Sequence, residues 1–221
     1  LADLDKADAE VRSATGTVKG NLKVEAPRGF ANRHIAPHLP ALLRQYPHLS
    51  VELKGNDIPT DLMESGFDLS VRYTPHSDHD SLVYTELAAN SRRLVATPNY
   101  LAINGVPTKP SELSSHQLIT RSATSNSNFW HFQNDHGTSS TIKVCGNIMA
   151  DSGDAILRAV LNDGGIAMLP NYMTANNLQA GTLTTVLDQL VMEDHPIYAV
   201  TVSSRHSIPK IDVFLAFLCS L

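Results

Sequence analysis

Cysteine is scarce. The 221-residue chain carries two, Cys145 and Cys219, far apart and in no CxxC arrangement, which excludes a disulfide scaffold and a cysteine zinc site. Free, mostly buried thiols in a reducing compartment are the expectation, with a redox-sensing Cys145 as the alternative. Long apolar runs are missing too. No stretch reaches the roughly 18 to 20 residues that a bilayer crossing needs, and the opening "LADLDKADAEVRSATG" is charged and amphipathic rather than signal-like. A soluble, cytoplasmic protein with no membrane partner is expected. Basic excess is absent: the net charge is -5, so the bulk surface lacks the basic face that phosphate binding requires. Any DNA contact then belongs outside these residues. The chain also shows no internal repeat, nucleophile elbow, P-loop, zinc signature or paired acids at recognised spacing, and "GDAILRAVLNDGG" lacks the GxGxxG order. Neither an enzyme nor a cofactor is expected.

What is present is a core and a rhythm. With 42% hydrophobic and 18% charged residues, the chain can bury a substantial interior. "NLKVEA" reads as a strand, and Ile35, Leu39, Leu42, Leu43 and Tyr46 form an apolar stripe on a helix from about Ala31 to Tyr46. "LSVELKG" is a second strand, "PTDLMESG" a short helix stopped at Gly66, and "FDLSVRY" a third strand. This βαβαβ order predicts a mostly parallel sheet covered by helices. "LVYTEL" and "RRLVATP" follow, then a short helix around "PNYLAING", and antiparallel strands and a turn in "NFWHFQND", "HGTSSTIKVCG" and "NIMA". The most legible helix is "SGDAILRAVLNDGG", with Ser152 or Asp151 as N-cap and Gly164 or Gly165 as its left-handed stop. "IAMLP" reads as a buried strand, "YMTANNLQAGTL" as a helix ending at Gly181, "HPIYAVTV" as a strand and "KIDVFLAFLCSL" as a terminal helix.

The stretches "GNLKVEAPRGFANRHIAPHLPALLRQYPHLSVEL", "DLMESGFDLSVR", "RRLVATPNYLAINGVPTKPSELSSH", "GDAILRAVLNDGGIAMLP" and "LQAGTLTTVL", in this order and spacing, resemble the effector-binding domain of LysR-type transcriptional regulators. The resemblance runs from about Gly16 to Leu221. It implies an α/β fold like the type 2 periplasmic binding proteins, with two α/β subdomains, two crossover strands and a ligand cleft between the subdomains. Residues 1–15 would then be the end of a linker helix, 16–89 and 196–221 regulatory subdomain I, and 90–195 subdomain II. A helix-turn-helix domain preceding this chain would carry all DNA binding. The resemblance further implies a homodimer or homotetramer, with the helix from about Ala31 to Tyr46 beside a partner's helix from Asp154 to Leu161. A solute-binding protein of periplasmic type is the alternative with the same fold.

The order strand, turn, helix places a site at the carboxyl end of a parallel sheet. After Ala26, the stretch Pro27, Arg28, Gly29 and Phe30 aims backbone N–H groups and the positive end of a helix at such a site, which suits a small carboxylate or phosphate. Ala150, Asp151 and Ser152 offer a similar start. The resemblance points to organic acids as effectors, with two departures: Arg28 stands where a small or hydroxyl residue is common, and Asp151 where Asn is frequent. Arg28 suits a bidentate carboxylate. Asp151 is open to two readings, an N-cap or a group that repels anions and invites an amine or hydroxyl. The remaining candidates are Asn56, Arg72, Thr74, Arg121, Ser122, Thr124, Pro170 and Tyr172. Either arginine of that set also suits a surface ion pair, and Phe30 and Trp130 suit packing as well as stacking on a ligand. His34 with His38, and His76 with His79, lie close in sequence, but no third ligand is in register, so no metal is expected.

Overall fold

The computed structural model describes residues 18–73, 81–122, 129–133, 139–192 and 196–221. The expected linker-helix end, residues 1–15, lies outside the described residues. The chain divides into two compact units, the first running to Ala89 and resuming at Pro196–Leu221, the second spanning Asn90–His195.

The first unit is built on β1 (Gly20–Ala26), β2 (Leu49–Gly55), β3 (Leu69–Arg72), β4 (Leu82–Ala88) and, from the far end of the chain, β13 (Ile197–Val202). Their order is β2, β1, β3, β13, β4. The first three run parallel. β13 is antiparallel to both of its neighbours, so the parallel character stops at β3. The terminal helix α6 (Pro209–Cys219) buries Ile211, Val213, Phe214, Phe217 and Leu218. Lys210 fastens it: Nζ lies 2.8 Å from Asp68 Oδ2 and 2.6 Å from the Asn21 carbonyl.

The helix expected from Ala31 to Tyr46 is broken. A short α1 (Arg28–Phe30) passes into a π turn at Ala31–Ile35, and α2 (Leu39–Gln45) begins after a gap. Two prolines explain it. Pro37 has no N–H to continue the ladder, and just before it the Ala36 N–H reaches back five residues to the Ala31 carbonyl at 2.8 Å. Pro40 falls in the first turn of α2, where a missing donor is tolerated. Of the expected stripe, Ile35, Leu42 and Tyr46 are buried, while Leu39 and Leu43 are half-buried. "PTDLMESG" also corrects the sequence expectation, closing as a single turn rather than a helix. Asp61 Oδ1 takes the Met63 N–H at 2.8 Å, and an Asp side chain that binds its own neighbours competes with helix formation. Gly66, at φ 72°, ends the turn.

The second unit holds β5 (Arg92–Ala96), α3 (Pro98–Asn104), β6 (Leu118–Arg121), β9 (Ile148–Ala150), α4 (Gly153–Leu161), β10 (Ile166–Pro170), α5 (Asn171–Gln179) and β11 (Thr184–Val186). The sheet order is β11, β5, β10, β6, β9. β10, β6 and β9 are parallel, and β5 is antiparallel to β10 and β11. β9 therefore departs from the antiparallel expectation for "NIMA". β7 (Phe129–Gln133) and β8 (Ser139–Lys143) do pair antiparallel, and β12 (Val191–Met192) adds to β7. Both faces of the larger sheet are covered. Leu94, Leu118 and Ile166 point to a cluster containing Trp130 and Phe132, whereas Val95, Ile119 and Ala167 point to one containing Ile156, Leu157 and Val160 of α4. Two-sided burial is why these strands read as continuous apolar runs. Trp130 is thus a packing residue.

α4 ends differently from expectation. Its left-handed residue is Asp163, at φ 59°, a conformation that Asp tolerates better than most residues. The Asp163 carboxylate accepts from the Thr97 hydroxyl and, at 2.6 Å, from Asn99 Nδ2. Those two bonds, Thr97 first, hold its carboxyl below the ordinary range. A depressed folded-state value stabilises above the unfolded value, near pH 4, and the gain is lost as pH falls through the folded one. Asp163→Asn is expected to lower the melting temperature at pH 7, with the gap to wild type closing in acid melts as pH falls through the lowered folded-state value.

Among the described residues no helix is long and apolar enough to cross a membrane. Both cysteines are exposed, contrary to the expectation of buried thiols. Val144 takes the buried position beside Cys145, and Cys219 lies beyond the buried Phe217 and Leu218.

Candidate functional site

In the first unit, Pro27–Phe30 follow β1, Asn56 follows β2 and Arg72 ends β3. These strands are adjacent and parallel, so the candidates gather at one edge of the sheet, at its carboxyl ends. The second unit repeats the arrangement: Arg121 and Ser122 close β6, Ala150–Ser152 close β9 and Pro170–Tyr172 close β10, again three parallel neighbours. Carboxyl ends of parallel strands are where α/β sheets bind ligands. Thr74 and Thr124 lie outside the described residues, as do His76 and His79.

At the β1 edge, Pro27, Gly29 and Phe30 are buried and Arg28 is exposed. Close approach of β2 is permitted by Gly55, where a Cβ would sit 3.3 Å from Arg28 Cγ. The Arg28 guanidinium has no partner among the described residues. Its backbone N–H, however, is already taken by Asp57 Oδ1 at 3.0 Å. Asp57 therefore occupies one of the first-turn donors on which an anion would draw. Phe30 stacks on His34, with ring centroids 4.9 Å apart. Burial first, then the Arg33 cation and His38, holds the His34 imidazole below its usual value. His38 Nδ1 lies 2.9 Å from the His34 carbonyl. No group of three His, Cys, Asp or Glu side chains suited to a metal occurs among the described residues.

The buried carboxylate at this edge is one that the sequence did not single out, Glu25, at 1% exposure. It accepts from Asn56 Nδ2 at 2.9 Å, from the Thr60 N–H at 3.1 Å and from the Ser70 hydroxyl at 3.2 Å. The Thr60 hydroxyl lies 3.1 and 3.2 Å from its two oxygens. Arg72, half-buried, donates from Nε to Ser70 Oγ at 3.0 Å and from Nη2 to the Thr60 carbonyl at 2.8 Å. Asn56 is spent on this network, its Oδ1 lying 3.4 Å from the Ile58 N–H.

In the second unit, Ser152 holds the N-cap position of α4 but its side chain caps nothing. The exposed Asp151 carboxylate has no partner among the described residues either, so neither residue provides the expected side-chain cap. The Ser122 N–H binds the Ala150 carbonyl at 3.0 Å and closes the β6 and β9 ends together. Ala150 and Tyr172 pack against the cluster under α4. Pro170 is the N-cap residue of α5.

Residues 15–220 match the family model of the LysR substrate binding domain. An uncharacterized HTH-type transcriptional regulator of Haemophilus influenzae is 31% identical over 93% of this chain and 71% of its own length. The HTH-type transcriptional regulator PtxR of Pseudomonas aeruginosa is 30% identical over 99% of this chain and 69% of its own. Among solved structures, the regulatory domain of CrgA, a LysR-type transcriptional regulator from Neisseria meningitidis, superposes with a TM-score of 0.81 at 26% identity, covering 92% of this chain and 98% of that domain.

Proposed function

We propose a function from one premise: this chain belongs to the LysR substrate-binding domain family. It is an effector-binding domain of a LysR-type transcriptional regulator, with the two-unit α/β fold like that of type 2 periplasmic binding proteins. The relatives give no support to the solute-binding alternative. The finer reading is that the domain takes a small organic acid at the carboxyl ends of its parallel strands. The supporting observation is the gathering of Arg28 and Arg72 at the β1 and β3 ends of one sheet edge. A carboxylate meeting either guanidinium gains charge-assisted, directional bonds. DNA contact belongs to a helix-turn-helix segment outside these residues, and the working form is a cytoplasmic homodimer or homotetramer. The domain performs no catalysis. Effector binding biases a pre-existing equilibrium between arrangements of the regulator.

A thermal-shift screen with organic acids, amines and sugars tests this reading. A carboxylate at one hundred times its Kd is expected to add about 2.7 kcal/mol, a rise of roughly 5 to 10 °C for a chain of this size. Arg28→Ala is expected to weaken that ligand about tenfold. Stabilisation by amines alone would remove the organic-acid reading and put Asp151 at the centre.

A further inference from the structure

Both bonds that hold Arg72 lead to one buried carboxylate. Glu25 and Ser70 are cross-strand neighbours in β1 and β3, and the Ser70 hydroxyl donates to Glu25 Oε2 while accepting from Arg72 Nε. Thr60, which gives both its N–H and its hydroxyl to Glu25, turns its carbonyl to Arg72 Nη2. Two of the five guanidinium N–H groups are thereby fixed to the protein, and with them the plane of the group. Nη1 has no partner among the described residues. What remains is the outer edge of the fork, Nη1 with the second N–H of Nη2, the geometry that grips a planar carboxylate through two parallel bonds.

We infer that Glu25, Ser70 and Thr60 are positioning residues that hold Arg72 as the carboxylate receptor of the first unit, with the ligand on the Nη1 and Nη2 edge. The inference rests on the organic-acid reading and adds its receptor atoms. It also changes the part played by Asn56, which becomes a support for Glu25 instead of a ligand contact. Arg28, exposed and with no guanidinium partner among the described residues, assists; Arg72 is pre-aimed, and a group held before the ligand arrives loses less freedom on binding.

The test separates the mount from the ligand. In nitrogen-15 spectra of the whole chain, the Arg72 Nε–H signal, assigned by its loss in Arg72→Lys, is expected to exchange with water at least tenfold more slowly than that of Arg28. Ser70→Ala is expected to abolish that protection while the chain remains folded, and Ser70→Thr, which keeps the hydroxyl, to restore it. Benzoate, succinate and citrate serve as probes. At least one is expected to shift the Arg72 signals and to bind Ser70→Ala five- to tenfold more weakly, with Ser70→Thr within twofold of wild type. Unchanged Nε–H protection in Ser70→Ala overturns the positioning inference while leaving the organic-acid reading standing. A probe that binds without moving the Arg72 signals also overturns it. If the mount behaves as expected but no carboxylate reaches Arg72, the receptor assignment falls together with the organic-acid reading.

Discussion

Glu25→Ala is expected to destabilise the chain by about 3 to 5 kcal/mol, because several donors lose one buried acceptor at once. The side chain is 1% exposed, and its loss strands the Asn56 amide, the Thr60 N–H and the Ser70 hydroxyl. Each buried donor left unmet costs about 1 to 3 kcal/mol, less whatever water recovers. Glu25→Gln should cost less, because one oxygen still accepts, although the new amide N–H groups meet donors in place of acceptors. Urea unfolding followed by circular dichroism measures both. A shift below about 1 kcal/mol for Glu25→Ala would show that the network contributes little to stability.

The second large effect lies in the other unit. Gly165 enters β10 at φ 136°, and a Cβ there would sit 2.3 Å from the Gln117 carbonyl oxygen. That carbonyl accepts the Ile166 N–H at 2.9 Å, where β10 begins to pair with β6. Gly165→Ala therefore meets a backbone wall as well as a disfavoured dihedral, and is expected to cost about 3 kcal/mol or more. Gly181 is the control. It has φ 69° and nothing within 4 Å of a built Cβ, so Gly181→Ala is expected to cost only about 1 kcal/mol. Equal melting temperatures for the two variants would refute the steric argument.

Some of this was readable from the chain and some was not. β1, β2, β10 and α4 follow from local pattern because their residues alternate or recur on a helical period, and the prolines that break the first helix were visible at positions 37 and 40. They were outweighed by the apolar stripe, which continues across the break because the turn keeps Ile35 and Leu42 on the buried side. Glu25 was missed for a different reason. With Lys23 two positions before it, Glu25 reads as the polar face of a half-exposed strand, and Lys23 is indeed exposed. Its partners Thr60 and Ser70 lie 35 and 45 residues away, a separation at which no periodicity signals contact. The same limit hid Asp163, whose partners Thr97 and Asn99 are 66 and 64 residues earlier. Resemblance located the strand ends; only the fold identified which side chains there are committed to one another.

The place of β13 bears on how the protein is made. Completion of the sheet in the first unit waits for a strand made after the whole of the second unit, since β13 separates β3 from β4. Until Ile197–Val202 emerges, β4 has no neighbour in that sheet, and its pairing edges stay open. The second unit is contiguous, Asn90–His195, and can close while the first is still incomplete. Translation can therefore deliver a finished second unit while the first is half-built, and β13 with helix α6 supplies the part of the first unit that the earlier segment lacks.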